Sequence, residues 1–164
     1  MCKRVIAICT TIAIIFYCFD IPVTARTYVD DETPIEVQIL CDIYGEKYNI
    51  CTELLEAICY YESRYDATVI DGTGSCYGLM QIKKSCHKAR MKRLGVTDLT
   101  DMESNIQVGA DYLAELFEQY EDVGVVLTIY HGESNIEDAY KGQLSSYVNK
   151  ILEKSAYLER LHGK

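Results

Sequence analysis

Leu55, Cys59 and Glu62 fall at i, i+4 and i+7 of one apolar-patterned segment, so a helix through them sets a carboxylate beside its own apolar stripe. A carboxyl group held against apolar neighbours loses hydration and keeps its proton to higher pH. It can then donate that proton to a leaving oxygen near neutrality. A helix-end glutamate is more often a solvated charge, so the assignment depends on what accompanies it. Sixteen residues further on comes Gly78-Leu79-Met80-Gln81, where a glycine lets backbone pass close to a ligand. Other chemistries find less support. No Cys-x-x-Cys pair or histidine cluster marks a metal site, and His87, His131 and His162 are scattered, leaving Cys59 without an adjacent base. No cofactor is expected.

Several elements must position this carboxylate. Thr33-Pro34 with Glu36 reads as a helix start, with Thr33 as cap, Pro34 in the first turn and Glu36 closing a capping box. Ile35, Val37, Ile39, Leu40 and Ile43 keep that helix apolar until Gly45, where it is expected to stop. A second helix is expected over 52–64, with Leu54, Leu55, Ile58, Cys59 and Tyr61 at helical spacing. Residues 66–77 read as a loop with a short hairpin, from the β-branched run at Thr68, Val69 and Ile70 before Asp-Gly-Thr-Gly-Ser. A basic helical piece follows over 84–94, ending at Gly95. A long helix is expected over 105–120, with Asn105 as its N-cap. Val123 to Tyr130 forms a short apolar helix suited to the centre of the molecule, and a last helix spans 144–161. The fold class is therefore mostly α: one compact helical domain over 34–161 with an irregular loop or small hairpin at the active site.

The first 25 residues differ from this body. Lys3 and Arg4 precede an apolar run from Val5 to Phe19, and Val23-Thr24-Ala25 supplies small residues for cleavage. That is the pattern of a secretory signal peptide, with a lead-in at 26–33. The run is shorter than the roughly 20 apolar residues of a spanning helix; left uncleaved, residues 5–19 would be an N-terminal anchor and the chain's one membrane contact. The expected location is outside the cytoplasm: extracellular, cell wall or periplasm. The chain carries 16 Lys and Arg against 25 Asp and Glu, a net charge of −9. Removing Lys3, Arg4 and Asp20 with the leader makes the body −10. So acidic a surface disfavours nucleic acid and attraction to anionic polymers. Of eight cysteines, Cys41, Cys51, Cys59, Cys76 and Cys86 follow the leader. In an exported protein a Cys76–Cys86 bridge would clamp Gly78–Gln81, while free buried thiols are the alternative. Tyrosine is abundant, 14 against 3 Phe and no Trp, which suits a wet groove as well as a core.

Glu62-Ser63, then Tyr77-Gly78-Leu79-Met80-Gln81-Ile82, then Asn105 to Leu113 ("NIQVGADYL"), then Leu127 to Gly132 ("LTIYHG") and finally Ser146 to Leu152 ("SYVNKIL") occur in one order. This series resembles the successive motifs of the soluble lytic transglycosylase domain, part of the lysozyme-like superfamily. The similarity covers roughly residues 35–158. It implies a lysozyme-like α+β fold and cleavage of the β-1,4 bond between N-acetylmuramic acid and N-acetylglucosamine in peptidoglycan. Glu62 would act first as acid on the glycosidic oxygen, then as base on the sugar's C6 hydroxyl, giving a 1,6-anhydro end. The substrate's acetamido group would stabilise the developing cation, so no second carboxylate is needed. The resemblance also implies substrate-binding roles for Ser63, Tyr77, Gly78, Leu79, Met80, Gln81, Asn105, Tyr130 and His131. Ser63 would orient Glu62 or the sugar, its alternative being a bond to its own helix. Met80 and Gln81 would line the cleft, and Tyr130 would face Glu62 with its hydroxyl. His131 departs from the asparagine usual in the family.

A lysozyme-type hydrolase is the nearest rival, and it would need a carboxylate to place water. Asp66 and Asp71 are in the right segment but are also favoured turn residues, and Lys83 stands where goose-type enzymes have aspartate. A non-catalytic glycan-binding subunit is the other rival. The resemblance implies peptidoglycan strands as partner, with a conjugation, secretion or phage-type assembly as context.

Overall fold

In this computed structural model the structure describes residues 33–164; the leader and most of the lead-in lie outside the described residues. Seven helices and one two-stranded hairpin make up the described residues: α1 (Ile35–Tyr48), α2 (Thr52–Ser63), β1 (Cys76–Tyr77), β2 (Ile82–Lys83), α3 (Lys88–Leu94), α4 (Met102–Gln119), α5 (Val123–Tyr130), α6 (Ile136–Tyr140) and α7 (Ser146–Leu161). The mostly helical class follows directly from the 3.6-residue periodicity of the sequence.

α2 is the element the others enclose. Every residue from Thr52 to Cys59 is buried, because α7 packs along one side of it and α1 along another, with α1 also lying on α4. α5 is buried from Gly124 to Thr128, as its unbroken apolar run requires. Asp122 and Ser145 cap α5 and α7, accepting from the N–H groups of Val125 and Val148. Gly95, in the left-handed region at φ 73°, ends α3, and Arg64, at φ 55°, ends α2.

Several local expectations are corrected. Gly45 does not stop α1, which continues to Tyr48 and ends at Asn49 with φ 53°. Glycine is required there for space: a Cβ would meet the Ile50 carbonyl oxygen at 2.8 Å and Thr52 Oγ1 at 3.0 Å. Thr33 does not cap α1 with its side chain, and Pro34 is the N-cap residue. The Thr33 hydroxyl instead pairs with the Tyr65 hydroxyl at 2.9 Å, while its carbonyl accepts from the Gln38 amide at 2.9 Å. Of the apolar residues of α1, Val37 and Cys41 face the core, whereas Ile35, Ile39 and Ile43 remain exposed. The hairpin falls later than the β-branched run, pairing Cys76 with Lys83 and Tyr77 with Ile82, and Ile70 contributes one bridge to Tyr77. Gly78–Gln81 is thus the hairpin's turn.

The long helix α4 begins before Asn105, at Met102, because Asp101 is its cap and accepts from Ser104 N–H at 2.9 Å. The short α6 has no counterpart among the expected elements. All five cysteines of the described residues are free thiols. The hairpin register places Cys76 opposite Lys83, and Cys86 sits in the next turn, bonded through its N–H to the Lys83 carbonyl.

The close approach at Gly45 sets a prediction against helix propensity. Alanine is favoured over glycine in a helix by about 1 kcal/mol, but overpacking backbone against backbone costs roughly 1–3 kcal/mol. Gly45→Ala should therefore lower stability in urea unfolding, and a stabilised variant would show that the α1–α2 corner yields freely.

Candidate active site

Glu62 sits in the last turn of α2, where the chain reverses through two non-glycine residues in the left-handed region, Arg64 and Tyr65, at φ 55° and 64°. Such conformations cost energy in non-glycine residues, and they deliver the chain into the loop that leads to the hairpin turn. Burial pushes the Glu62 carboxyl pKa up. A hydrogen bond from the Tyr147 hydroxyl and the nearby His131 charge oppose that shift without cancelling it. The Tyr147 hydroxyl donates to Glu62 Oε1 from the first turn of α7. Its own pKa is raised strongly, by burial and then by the Glu62 charge. The His131 ring stacks on Tyr147, with centroids 3.6 Å apart and planes at 14°.

The hairpin turn beside Glu62 is fixed by three side chains from three helices. Ser63, buried, places its hydroxyl 2.9 Å from the Leu79 carbonyl and 3.1 Å from that of Cys59. Asn105, fully buried in the first turn of α4, accepts from Met80 N–H at 2.8 Å and donates to the Tyr77 and Leu99 carbonyls at 2.8 and 2.7 Å. Tyr130, at the end of α5, donates to the Met80 carbonyl at 2.8 Å. Gly78 completes the set: at φ 72°, any Cβ would fall on the Asn105 amide and the Leu99 carbonyl. Buried backbone groups need partners, and here side chains supply what a longer strand pair would otherwise provide.

The Transglycosylase SLT domain family model matches residues 40–150, more than half of the 164 residues. The chain belongs to that family. The transglycosylase of Enterobacteria phage PRD1 is 33% identical over 106 residues, 65% of this chain and 38% of the phage protein. Membrane-bound lytic murein transglycosylase F of Enterobacter sp. (strain 638) is 38% identical over 94 residues, covering 57% of this chain and 17% of that protein. The chain therefore spans well under half the length of these relatives. Lytic transglycosylase Slt of Pseudomonas aeruginosa, solved as an inactive mutant, superposes with a TM-score of 0.66 at 17% identity, covering 84% of this chain and 26% of that one. That likeness establishes the lytic transglycosylase fold.

Within this SLT domain the sequence-assigned residues separate into two groups. Glu62, Ser63, Gly78, Asn105, Tyr130 and His131 converge on the end of α2 and the hairpin turn. The side chains of Leu79 and Met80 do not line a cleft: both are buried in the core, and Met80 packs on Gly109 of α4, which has no Cβ to displace it. Only their backbone groups face the turn. Gln81, at φ 46°, spends its amide N–H groups on the Gly78 and Val69 carbonyls at 3.0 and 3.2 Å, so it braces the loop. Tyr77 donates to the Gly74 carbonyl at 2.8 Å. The Tyr130 hydroxyl turns to Met80 rather than to Glu62. The residue that meets the carboxylate is Tyr147, to which the sequence assigned no role. Its place in the Ser146–Leu152 motif was the one available signal.

Asp66 and Asp71 build their loop. Asp66 accepts from Thr68 N–H and Oγ1 at 2.8 and 2.7 Å. Asp71 accepts from Thr73 Oγ1, Ser75 N–H and Cys76 N–H at 2.6, 2.6 and 2.9 Å, which holds its carboxyl down at about 2. Among the described residues no three of His, Cys, Asp and Glu converge as a metal site requires.

Two outcomes follow from this geometry. Asn105→Ala strands one buried N–H and two buried carbonyls, each worth about 1–3 kcal/mol, so urea unfolding should show a loss of roughly 3 kcal/mol or more; a loss within about 0.5 kcal/mol, the scale of an ordinary surface change, would mean the turn holds itself. Tyr147→Phe removes a bond that favours the ionised carboxylate, so the Glu62 midpoint in a ¹³C NMR titration should move to higher pH. A downward move would contradict the hydrogen bond's direction.

Proposed function

We propose that this chain is a peptidoglycan lytic transglycosylase that cleaves the β-1,4 bond between N-acetylmuramic acid and N-acetylglucosamine, leaving a 1,6-anhydro end. The observation that carries the reading is Glu62 itself: a partly buried carboxyl at a helix end, its pKa raised by burial and its orientation fixed by the Tyr147 hydroxyl. A protonated carboxyl in that setting can give its proton to the glycosidic oxygen as the bond breaks. Once ionised, it is the base that takes the proton of the C6 hydroxyl as that oxygen closes on C1. The proton count balances within one turnover and no water is consumed. The acetamido group of the muramic sugar supplies the stabilisation that a second carboxylate gives in other glycosidases.

Two features support this over hydrolysis. Asp66 and Asp71, the acids that could have placed a water, are committed to hydrogen bonds inside their own loop. The relatives are named transglycosylases. Backbone of the Gly78–Gln81 turn, with Ser63, Asn105 and Tyr130 behind it, forms one wall beside the acid. In this reading substrate sugars meet that backbone and the Gln81 and Tyr77 side chains. The leader at 1–25 takes the domain at 34–161 out of the cytoplasm to the peptidoglycan. The phage protein and the membrane-bound relatives make a phage-type assembly or a membrane-associated wall enzyme the natural settings, with peptidoglycan strands as the partner.

Mass spectrometry of muropeptides released from purified peptidoglycan by the full chain tests the proposal. Products should end in 1,6-anhydro sugar, and Glu62→Gln should lower their rate by about 10²–10⁴-fold, the usual worth of a general acid–base group. Because the acid must start protonated, cleavage should fall as pH rises through the raised Glu62 midpoint. Reducing ends would establish a hydrolase instead. Equal release by both proteins would remove Glu62 as the acid, and no release by either would leave a glycan-binding subunit.

A further inference from the structure

His131 follows the last residue of α5 and is held by its own short turn. Its N–H bonds the Leu127 carbonyl at 3.0 Å, and Glu133 N–H bonds the Thr128 carbonyl at 3.0 Å. Gly132 between them sits at φ 82°. The turn is closed from the other side by α7. Glu133 Oε1 accepts from the Ser145 hydroxyl at 2.8 Å and stands 3.9 Å from His131 Nε2. Ser145 in turn caps α7, accepting from Val148 N–H at 3.3 Å. The imidazole is thereby laid flat on the ring of Tyr147, two residues into the same helix.

That contact bears on Glu62. A tyrosine hydroxyl swings over several ångströms as its ring turns about the side-chain torsions. A ring stacked 3.6 Å away blocks that swing on one face. Among the described residues His131 is the one aromatic ring in contact with Tyr147. The groups around His131 are Glu133 from its own turn, Tyr147 from α7, and the Glu62 charge at the end of α2. An asparagine at this position, as in the resembling family, has no ring face to offer.

We propose that His131 is a positioning residue in which the ring, rather than hydrogen bonding to sugar, is what counts: it clamps Tyr147 so that the hydroxyl stays on Glu62. This rests on Glu62 being the acid, but its test does not depend on cleavage alone. The side chain is 40% exposed, so substitution leaves the core intact.

The experiment compares full-length wild type with His131→Phe, His131→Asn and His131→Ala. One readout is the ¹³C titration of the Glu62 carboxyl, and the other is kcat and KM on soluble peptidoglycan oligosaccharides. Loss of the clamp should raise the Glu62 midpoint in the alanine and asparagine variants more than in phenylalanine, which keeps a ring while losing only the charge. In the same two variants kcat should fall on the order of ten- to hundred-fold, as displaced catalytic groups do, with KM changed less than about twofold. Phenylalanine should recover most of the lost kcat. Equal midpoint shifts in alanine and phenylalanine would make charge the operative property and overturn the proposal. Absence of any shift, asparagine outperforming phenylalanine, or a raised KM at unchanged kcat would overturn it too. If wild type releases no product, the functional reading fails in its own assay, while the titration still decides whether His131 holds Tyr147.

Discussion

The arrangement depends on one buried amide. Asn105 reaches from the first turn of α4 into the hairpin turn and satisfies one N–H and one carbonyl there, and one carbonyl of the segment before α4. A two-residue strand pair cannot fix the shape of its own turn, since so few ladder bonds leave most of the backbone unpaired. The amide, with its donors and acceptor at fixed angles, determines where Tyr77 and Met80 lie. Gly78 is forced by the same contact, because the amide occupies the volume a Cβ would take. Ser63 and Tyr130 then reach the next two carbonyls. Three helices are thus joined through a four-residue turn, and the carboxylate one residue before Ser63 is located relative to that turn.

The chemistry follows from a competition of two terms at Glu62. Burial favours the protonated form; the Tyr147 hydroxyl and the His131 charge favour the ionised one. Burial prevails, so the carboxyl keeps its proton to higher pH than an ordinary glutamate. The hydroxyl, however, can hold the carboxylate in place once the proton has left. A bond that weakened the acid without positioning it would be a poor bargain. In the proposed reaction the same bond would hold the carboxyl that faces first the glycosidic oxygen and then the C6 hydroxyl.

Much of this was legible in the sequence, but unevenly. That Glu62, Ser63 and the glycine turn lie together could be anticipated because their types and order form one motif series, and the helices because their apolar spacing is periodic. Tyr147 could not be assigned as the partner of Glu62, since the two are 85 residues apart and meet only because α7 runs back along α2. Gly45 was misread because glycine carries the same local signal at a helix end and at a close approach. Asn105 was read as a cap because asparagine favours that position; the cap is Asp101, four residues earlier, and the amide points inward instead. Met80 was placed in the cleft by its motif, whereas its side chain fills the space Gly109 leaves. In each case a short-range preference was overridden by a contact between distant segments.

The register of α2 on α7 has its own determinant at the opposite end. Glu53, fully buried in the first turn of α2, is bonded to His162 Nδ1 at 2.9 Å and Lys164 Nζ at 2.8 Å, just beyond α7. Burial alone would raise its pKa, yet the Lys164 and His162 bonds bring the carboxyl down to about 2. One helix therefore carries two glutamates shifted in opposite directions. By linkage, Glu53 adds stability above the ordinary carboxylate range, and this is lost as pH falls toward 2. Glu62 does the reverse: its raised midpoint means that ionisation in the folded state costs stability as pH rises above the ordinary range. The structural pair at one end fixes how α7 lies on α2, so that Tyr147 arrives opposite Glu62 at the other. A partly buried acid at one end of α2 is thus carried on a helix whose far end is anchored by a compensated charge.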